Sequence, residues 1–219
     1  MPEPIRFYVD PRCPWCYQTS RWARRLEAAG EVRVDWRPFS LDVANKGDDG
    51  RNAPDAGAAP ALRVLAEIRR RAGSDAAGDF YAAIAGAVHD RGAAVDDIQQ
   101  LRAAAEAAGA DPNLVSDVMA DPSTWAAVLA EHDEAHELKV FGVPTIVLES
   151  GDLMFGPIIV DVPDEAEAIE LWRHFSWLTR NRNFAELKRE RTAAPELTSI
   201  RKARERRAEE QRERGSAAA

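Results

Sequence analysis

Cysteine is scarce in this 219-residue chain, which contains only Cys13 and Cys16. The sequence also lacks any uninterrupted apolar stretch of about 18 residues, which argues against a membrane-spanning helix and against a membrane partner. No Gly-x-Gly-x-x-Gly stretch is present, so we expect no dinucleotide-binding site in the chain itself. The single pair of cysteines is therefore the strongest indication of function in the sequence.

The two cysteines enclose Pro14 and Trp15 and follow an apolar stretch at residues 5–10, which predicts a strand. A helix is predicted over residues 14–29, because proline favours the first helical position and Gly30 suits the residue after the last turn. The cysteines therefore lie where a strand passes into a helix.

This position favours redox chemistry. Cys13 would lie at the helix N-terminus, where unpaired backbone N–H groups and the positive end of the helix dipole stabilise a thiolate. Cys16, three residues further on, would share its helix face and could attack a mixed disulfide formed at Cys13. The spacing predicts a dithiol centre with Cys13 as the nucleophile and Cys16 as the resolving thiol.

A zinc site is one alternative use of such a pair. It would need two further cysteine or histidine ligands at comparable spacing, and the sequence offers no such cluster. His132 and His136 stand four residues apart, but the metalloprotease pattern needs glutamate directly after the first histidine, where this chain has Asp133. We therefore expect no metal site, and we interpret His132 as a partly buried structural residue.

A structural disulfide is the other alternative, and it is typical of exported proteins. The sequence reaches its first predicted strand at Ile5, which leaves no room for the basic and apolar regions of a signal peptide. We therefore expect a cytoplasmic protein whose thiol pair cycles between reduced and oxidised forms.

Charge is unevenly distributed along the chain. The formal net charge is −8, yet the stretch from Arg201 to Arg214 is net basic, so the body of the chain is acidic. An acidic body argues against nucleic acid as a partner. Arginine and glutamate intermingle in the basic stretch without large apolar residues, which predicts a solvated helix that makes no core contact.

The remaining patterns predict a helical insertion between two groups of strands. Alternation at residues 32–37 predicts a second strand. Residues 41–60 are rich in Gly, Asp, Asn and Pro and predict a loop, which could act as a mobile lid beside the site. Helical periodicity then continues to about residue 140, and a β-hairpin and a final helix follow Gly142.

This order, with Cys-Pro-Trp-Cys after the first strand and Gly-Val-Pro-Thr at residues 142–145, resembles the DsbA-like branch of the thioredoxin superfamily. The resemblance implies an α/β, thioredoxin-like fold with a large all-helical insertion. It also implies a cis peptide bond before Pro144, which would lie against the dithiol. Three parts are predicted. Residues 1–40 and 141–192 form a discontinuous thioredoxin-like domain, and residues 41–140 form a helical insertion. Residues 193–219 form a charged extension that is partly disordered or a solvated helix.

A larger part of the chain resembles the mycothiol-dependent nitroreductase family of actinobacteria. The Phe-Ala-Glu-Leu-Lys-Arg stretch at residues 184–189 is more specific than the cysteine motif, which several DsbA-like groups share. Together the matching stretches extend over residues 5–192: 7–16, 20–22, 40–41 with Asn45, 89–92, 155–157 and 184–192.

This resemblance implies a thiol-disulfide oxidoreductase acting on small molecules. Cys13 would attack a low-molecular-weight disulfide or an electrophilic acceptor of the nitroaromatic type, and Cys16 would resolve the adduct. Mycothiol would serve as co-substrate, with electrons drawn from NADPH by a separate mycothione or thiol reductase. No tightly bound cofactor is implied, and a homodimer is left open.

The resemblance also implies a set of substrate-binding residues around the dithiol: Pro14, Trp15, Asn45, His89, Val143 and Pro144. The residues by themselves allow other interpretations, with Trp15 as a core residue, Asn45 as a turn residue and His89 as a cation at a helix end.

Two departures from the family pattern bear on this cleft. Val143 stands where the pattern has threonine, which removes a hydroxyl beside the sulfurs. Residues 47–59 contain no tyrosine, although the pattern has one over the site. The preferred acceptor and the closure of the lid could therefore differ here.

Other functions stay open at this point. A protein disulfide oxidoreductase or isomerase of the DsbA-like type would need an open apolar groove around Val143 and Pro144. A kappa-type thiol transferase or isomerase would share the helical insertion, although that group generally lacks paired cysteines. A binding module without catalysis is the remaining alternative.

Overall fold

A four-stranded mixed sheet forms the centre of the fold, and the computed structural model describes residues 1–217. The strands are β1 (Glu3–Val9), β2 (Val32–Pro38), β3 (Thr145–Leu148) and β4 (Leu153–Phe155), in the spatial order β2-β1-β3-β4. β1 is parallel to β2 and antiparallel to β3, and β3 is antiparallel to β4. This is the α/β, thioredoxin-like arrangement that the resemblance implies.

Within residues 1–217, one helix follows β1, seven stand between β2 and β3, and two follow β4. They are α1 (Pro14–Ala28), α2 (Leu41–Lys46), α3 (Asp48–Arg51), α4 (Ala59–Ala72), α5 (Ser74–His89), α6 (Ile98–Ala107), α7 (Leu114–Ala120), α8 (Ser123–Glu137), α9 (Glu165–Arg180) and α10 (Thr198–Ala217). None of the helices in residues 1–217 is long and apolar enough to span a bilayer.

The central strand β1 owes its position to its apolar residues. Phe7 is fully buried and stands between Trp36 of β2 and Ile146 of β3 in the sheet register. Its ring lies 5.4 Å from that of Trp36. Because burying a large apolar side chain stabilises a fold by about 1.5–3 kcal/mol, such residues fix the strand that leads into the cysteines.

Helix α1 begins at the predicted proline and ends where Gly30 adopts a φ of +75°, as its sequence indicates. Its buried face carries Trp22, whose indole N–H donates to the Ala168 carbonyl of α9 at 3.1 Å. The Trp22 ring also packs against Trp172 and Phe175. These contacts hold α1, and the cysteines at its start, in a fixed position.

The beginning of the insertion differs from its prediction. Residues 41–51 form the short helices α2 and α3 instead of a loop. Ser40 supplies the reason, because its hydroxyl accepts from the Val43 backbone N–H at 3.2 Å and caps α2. The end of α3 is fixed by Trp125 of α8, which donates to the Arg51 carbonyl at 2.7 Å. Neither contact can be predicted from the composition of the segment.

A buried arginine organises the rest of the insertion. Arg63 of α4 is only 2% exposed, and its guanidinium donates to Thr124 Oγ1 at 2.9 Å and to the Val118 carbonyl at 2.6 Å. It also donates to the Asp121 carbonyl at 3.2 Å. The side chain therefore satisfies carbonyl groups where α7 ends and α8 begins.

The charged extension is more closely attached than its sequence predicts. Helix α10 begins at Thr198, Leu197 just before it is 6% exposed, and Ile200 packs against the core. Lys202 donates to the Gly92 carbonyl at 3.0 Å. The core contacts of Leu197 and Ile200 lie just before residues 201–214, for which the sequence predicts a solvated helix, and the side chains of 201–214 are mostly exposed. Residues 218–219 of the extension lie outside the described part of the chain.

Candidate functional site

Cys13 occupies the N-cap position of α1, immediately after the β1 strand and its turn. The backbone N–H of Cys16 donates to the Cys13 sulfur at 3.2 Å. Cys13 is 6% exposed, so its sulfur lies just beneath the surface. An amide that points at the sulfur, together with the helix dipole, favours the thiolate form of Cys13.

Cys16 lies one turn further along α1 and is fully buried. Burial raises the pKa of its thiol well above the ordinary value, and the neighbouring Cys13 sulfur raises it further. Both cysteines are free thiols in this structure. The two sulfurs thus differ as a nucleophile and a resolving thiol would. The Cys13 sulfur lies just beneath the surface, and the Cys16 thiol is fully buried with a raised pKa.

The loop before β3 closes the site from the opposite side. The peptide bond between Val143 and Pro144 is cis, as the resemblance implies. The Cys13 thiol points at the Val143 carbonyl oxygen at 3.7 Å. Val143 is 5% exposed and Pro144 is buried, so the backbone at this position faces the sulfur. Gly156-Pro157 is a second cis bond, which no sequence pattern predicts.

Asp10 is a site residue that the sequence reading missed. Its carboxylate is fully buried and accepts from the backbone N–H groups of Arg12 at 2.8 Å and Leu41 at 2.9 Å. Burial raises its pKa to about 6. Its own carbonyl accepts from the Cys13 N–H at 3.0 Å. An aspartate followed by Pro11 and a short turn is the signal that could have identified it.

Arg12 and α2 meet beside the dithiol. The Arg12 guanidinium pairs with the Asp42 carboxylate of α2 at 3.0 Å. Asn45 lies one turn further along the same short helix and is exposed. Gly57 packs closely here, since a Cβ on it would lie 2.6 Å from Arg12 Nη1. The segment predicted as a lid therefore reaches the active-site turn, while a substrate contact of Asn45 stays a prediction.

His89 is enclosed behind the active-site turn. It is 1% exposed, and Nε2 lies 3.0 Å from the Pro11 carbonyl oxygen while Nδ1 lies 2.8 Å from Ser199 Oγ. Its ring stacks on Tyr17 at 5.3 Å. Burial lowers the pKa of His89 to about 4, so the ring is neutral at pH 7. Both nitrogens have protein partners, and a direct contact with substrate stays a prediction.

Trp15 and Pro14 complete the entrance to the site. Pro14 is the first residue of α1 and is half-buried. Trp15 is also half-buried, and the Arg191 guanidinium carbon lies 5.4 Å from the centroid of its ring. Arg191 is the second residue that sequence reasoning missed, because no local pattern connects it to a tryptophan so far away in the chain.

His132, by contrast, belongs to the core. It is 4% exposed, packs against Phe39 at 4.4 Å and receives the Ser40 N–H on Nδ1 at 3.3 Å. Burial lowers its pKa to about 4. The structure thus gives it the buried structural position that the sequence predicts.

Comparison with known proteins identifies the family. Residues 12–189, most of the chain, match the family model described as Rv2466c-like, the mycothiol-dependent nitroreductase Rv2466c. The chain belongs to the Rv2466c-like family. It is therefore a thiol-dependent oxidoreductase, and the cysteine pair lies within the matched residues.

Relatives of this Rv2466c-like protein extend the comparison. It is 30% identical over 193 residues to the uncharacterized protein Rv2286c of Mycobacterium tuberculosis, covering 87% of this chain and 83% of the relative. A probable DsbA oxidoreductase from Streptomyces coelicolor has a TM-score of 0.55 at 23% identity, covering 88% of this chain and 95% of the other. The cytosolic disulfide reductase DsbM from Pseudomonas aeruginosa has a TM-score of 0.56 at 17% identity, covering 80% and 99%. These structural similarities support the DsbA-like fold.

Proposed function

We propose that this Rv2466c-like protein is a cytoplasmic, mycothiol-dependent reductase of small electrophilic acceptors, of the nitroaromatic or disulfide type. The observation that carries the proposal is the unequal pair of sulfurs at the start of α1. Cys13 lies near the surface under a backbone N–H, while Cys16 is buried behind it. The family description, which names mycothiol, supports this small thiol as the electron donor.

The reaction follows from this inequality. With a disulfide acceptor, the Cys13 thiolate attacks one sulfur and expels the other as a thiolate, which leaves a mixed disulfide. Cys16, once deprotonated, attacks the Cys13 sulfur and expels the second thiol. The acceptor gains two electrons and two protons overall, and the enzyme is left with a Cys13–Cys16 disulfide. With a nitro acceptor, the same two electrons and two protons would convert the nitro group to a nitroso group and release one molecule of water.

Mycothiol would restore the dithiol by the reverse exchange. Two mycothiol molecules supply the two electrons and leave as the symmetric disulfide mycothione. A separate NADPH-dependent reductase would regenerate mycothiol, which agrees with the absence of a dinucleotide fingerprint from this chain. The substrate-binding residues we propose are those around the dithiol: Pro14, Trp15, Asn45, His89, Val143 and Pro144.

The test is NADPH oxidation in a mixture of this protein, mycothiol, mycothione reductase and a nitroaromatic or disulfide acceptor. We expect turnover that requires all components and is lost in Cys13→Ser. Cys16→Ser should accumulate a mixed disulfide at Cys13, which intact-protein mass spectrometry would detect. Absence of turnover with every acceptor of both classes would refute the proposal.

A second candidate, protein disulfide oxidoreductase or isomerase, is favoured by one observation. Phe141 and Phe155 stack at 5.5 Å beside the cis-proline loop and are 72% and 40% exposed. Exposed aromatic rings next to a redox site could hold an unfolded polypeptide. Refolding of a protein with scrambled disulfides separates the two functions, because only the second candidate predicts that it is accelerated.

A further inference from the structure

A segment without helix or strand reaches the dithiol site at Trp15. This segment, residues 181–197, connects the end of α9 to the start of α10, and we call it the strap. Near its middle, the Arg191 guanidinium lies over the ring of Trp15 at 5.4 Å from the centroid. The C-terminal part of the chain thus contributes a cation to the entrance of a site built by the N-terminal part.

The strap is fixed at its far end by buried contacts. Leu197 is 6% exposed, and Ser199, two residues further on, lies 2.8 Å from His89 Nδ1. His89 in turn contacts the Pro11 carbonyl of the active-site turn through Nε2 at 3.0 Å. The His89 side chain therefore contacts both the first turn of α10, where the strap ends, and the turn that carries Cys13.

Arg191 differs from Arg12, a second cation beside the dithiol. Arg12 is paired with Asp42, with guanidinium-to-carboxylate distances of 3.0 and 3.2 Å. Within the described part of the chain, no carboxylate lies within 4 Å of the Arg191 guanidinium. Its charge is therefore available to a ligand, and the stacking on Trp15 holds the planar group at the entrance before a ligand arrives.

We propose that Arg191 is a specificity-determining residue of the dithiol site, which binds a negatively charged group on the acceptor. A guanidinium offers several N–H donors in one plane and suits a carboxylate or a similar oxyanion. The site would then favour acceptors that combine an electrophilic sulfur or nitro group with an anionic group over neutral ones of the same reactivity. This inference rests on the proposed function, since it concerns the acceptor of that reaction.

Two aromatic disulfides provide the test, because they undergo the same reaction but differ in charge. The dianion 5,5′-dithiobis(2-nitrobenzoate) and the neutral 4,4′-dithiodipyridine each accept two electrons from the dithiol and release two molecules of coloured thiol or thione. The full-length protein is reduced beforehand, and a single turnover with each reagent is followed in a stopped-flow spectrometer. No mycothiol or reductase is needed, so the acceptor half of the reaction is observed alone.

The variant is Arg191→Gln and the matched control is Arg189→Gln, an exposed arginine of the same strap. We expect Arg191→Gln to slow the reaction with the dianion by about tenfold, which corresponds to the loss of a charge-assisted hydrogen bond. The reaction with the neutral reagent should slow by less than about twofold. Arg191→Lys should recover part of the rate with the dianion. Arg189→Gln should leave both rates near those of the wild type.

The ratio of the two rates decides the outcome. A lower thiolate population at Cys13 would slow both reagents alike, so an unchanged ratio in Arg191→Gln overturns the inference. An equal loss in Arg189→Gln also overturns it, because the effect would then reflect overall charge. If the reduced wild-type protein reacts with neither reagent, the proposed function fails and the inference fails with it.

Discussion

The Cys13 sulfur and the Val143 carbonyl oxygen lie 3.7 Å apart, a contact between residues separated by 130 positions in the chain. The reactive sulfur therefore contacts backbone groups from two segments, the Cys16 N–H of its own helix and the Val143 carbonyl of the loop before β3. The first favours a thiolate and the second favours a thiol that can donate. Position 143 is therefore one at which a substitution can be tested for its effect on the reactivity of Cys13.

Val143→Thr should make Cys13 react faster with an electrophile at pH 7. Val143 is 5% exposed and its carbonyl oxygen lies 3.7 Å from the Cys13 sulfur, so a threonine hydroxyl at this position could donate to the attacking sulfur. A hydrogen bond to a charged group contributes about 1.5–3 kcal/mol, so we expect the rate to rise by about tenfold. The rate of iodoacetamide alkylation of Cys13 at pH 7 measures it. Val143→Ala is the control without a hydroxyl, and equal rates in both variants would contradict the prediction.

The two thiols should differ strongly in reactivity. Cys13 is at the helix N-terminus near the surface, whereas burial removes Cys16 from solvent and raises its pKa. At pH 7 we expect iodoacetamide to modify Cys13 faster than Cys16 by at least about tenfold. Peptide mass spectrometry after short labelling times measures both rates. In Cys13→Ser, Cys16 should stay unmodified until urea unfolds the protein, and rapid labelling of the folded variant would exclude the assigned roles.

The sequence predicts those parts of the fold and site that depend on neighbouring residues. The strand before Cys13, the helix that begins at Pro14 and its end at Gly30 all follow from local patterns that the structure confirms. The hairpin around Gly151, where φ is +85°, follows in the same way. Such features require only the periodicity of apolar residues and the backbone preferences of proline and glycine.

What the sequence did not predict depends on contacts between distant segments. The Asp10 carboxylate accepts from the backbone N–H groups of Arg12 and Leu41. The contact with Leu41 can be recognised only in the folded structure, where β2 lies beside β1. Arg191 reaches Trp15 only because α9 and α10 hold the ends of the strap. Composition also misled at residues 41–51, where a cap and a distant tryptophan stabilise two short helices.

Asp10→Asn should change how stability depends on pH. Burial raises the folded-state pKa of Asp10 from 3.8 to about 6. The contribution of this group to the free energy of unfolding is therefore fully present below pH 3.8 and is lost as pH rises through about 6. Between pH 4.5 and 7.5 this loss amounts to about 2 kcal/mol, from the two pKa values. The asparagine amide does not ionise, so the variant should lack this pH-dependent change in the free energy of unfolding.

Urea unfolding at the two pH values measures the effect as a difference between wild type and variant, which cancels the contributions of other groups. Asp96→Asn, at an exposed position, is the control and should retain the wild-type pH dependence. If Asp10→Asn also retains it, the Asp10 carboxylate does not titrate in this range. The amide leaves one of the two N–H groups without its oxygen acceptor, so we expect the variant to be less stable at pH 4.5.

Ser199→Ala should release the strap without unfolding the core. Ser199 Oγ lies 2.8 Å from His89 Nδ1, and leaving a buried nitrogen without its partner costs about 1–3 kcal/mol. The cost should appear as local opening, because α10 contacts the body of the protein mainly through its first turn. We expect trypsin to cut after Arg189 or Arg191 about tenfold faster, while the urea midpoint of the core changes little. Ser150→Ala in the exposed hairpin turn is the control, and equal cleavage rates in both variants would show that the His89 contact does not hold the strap.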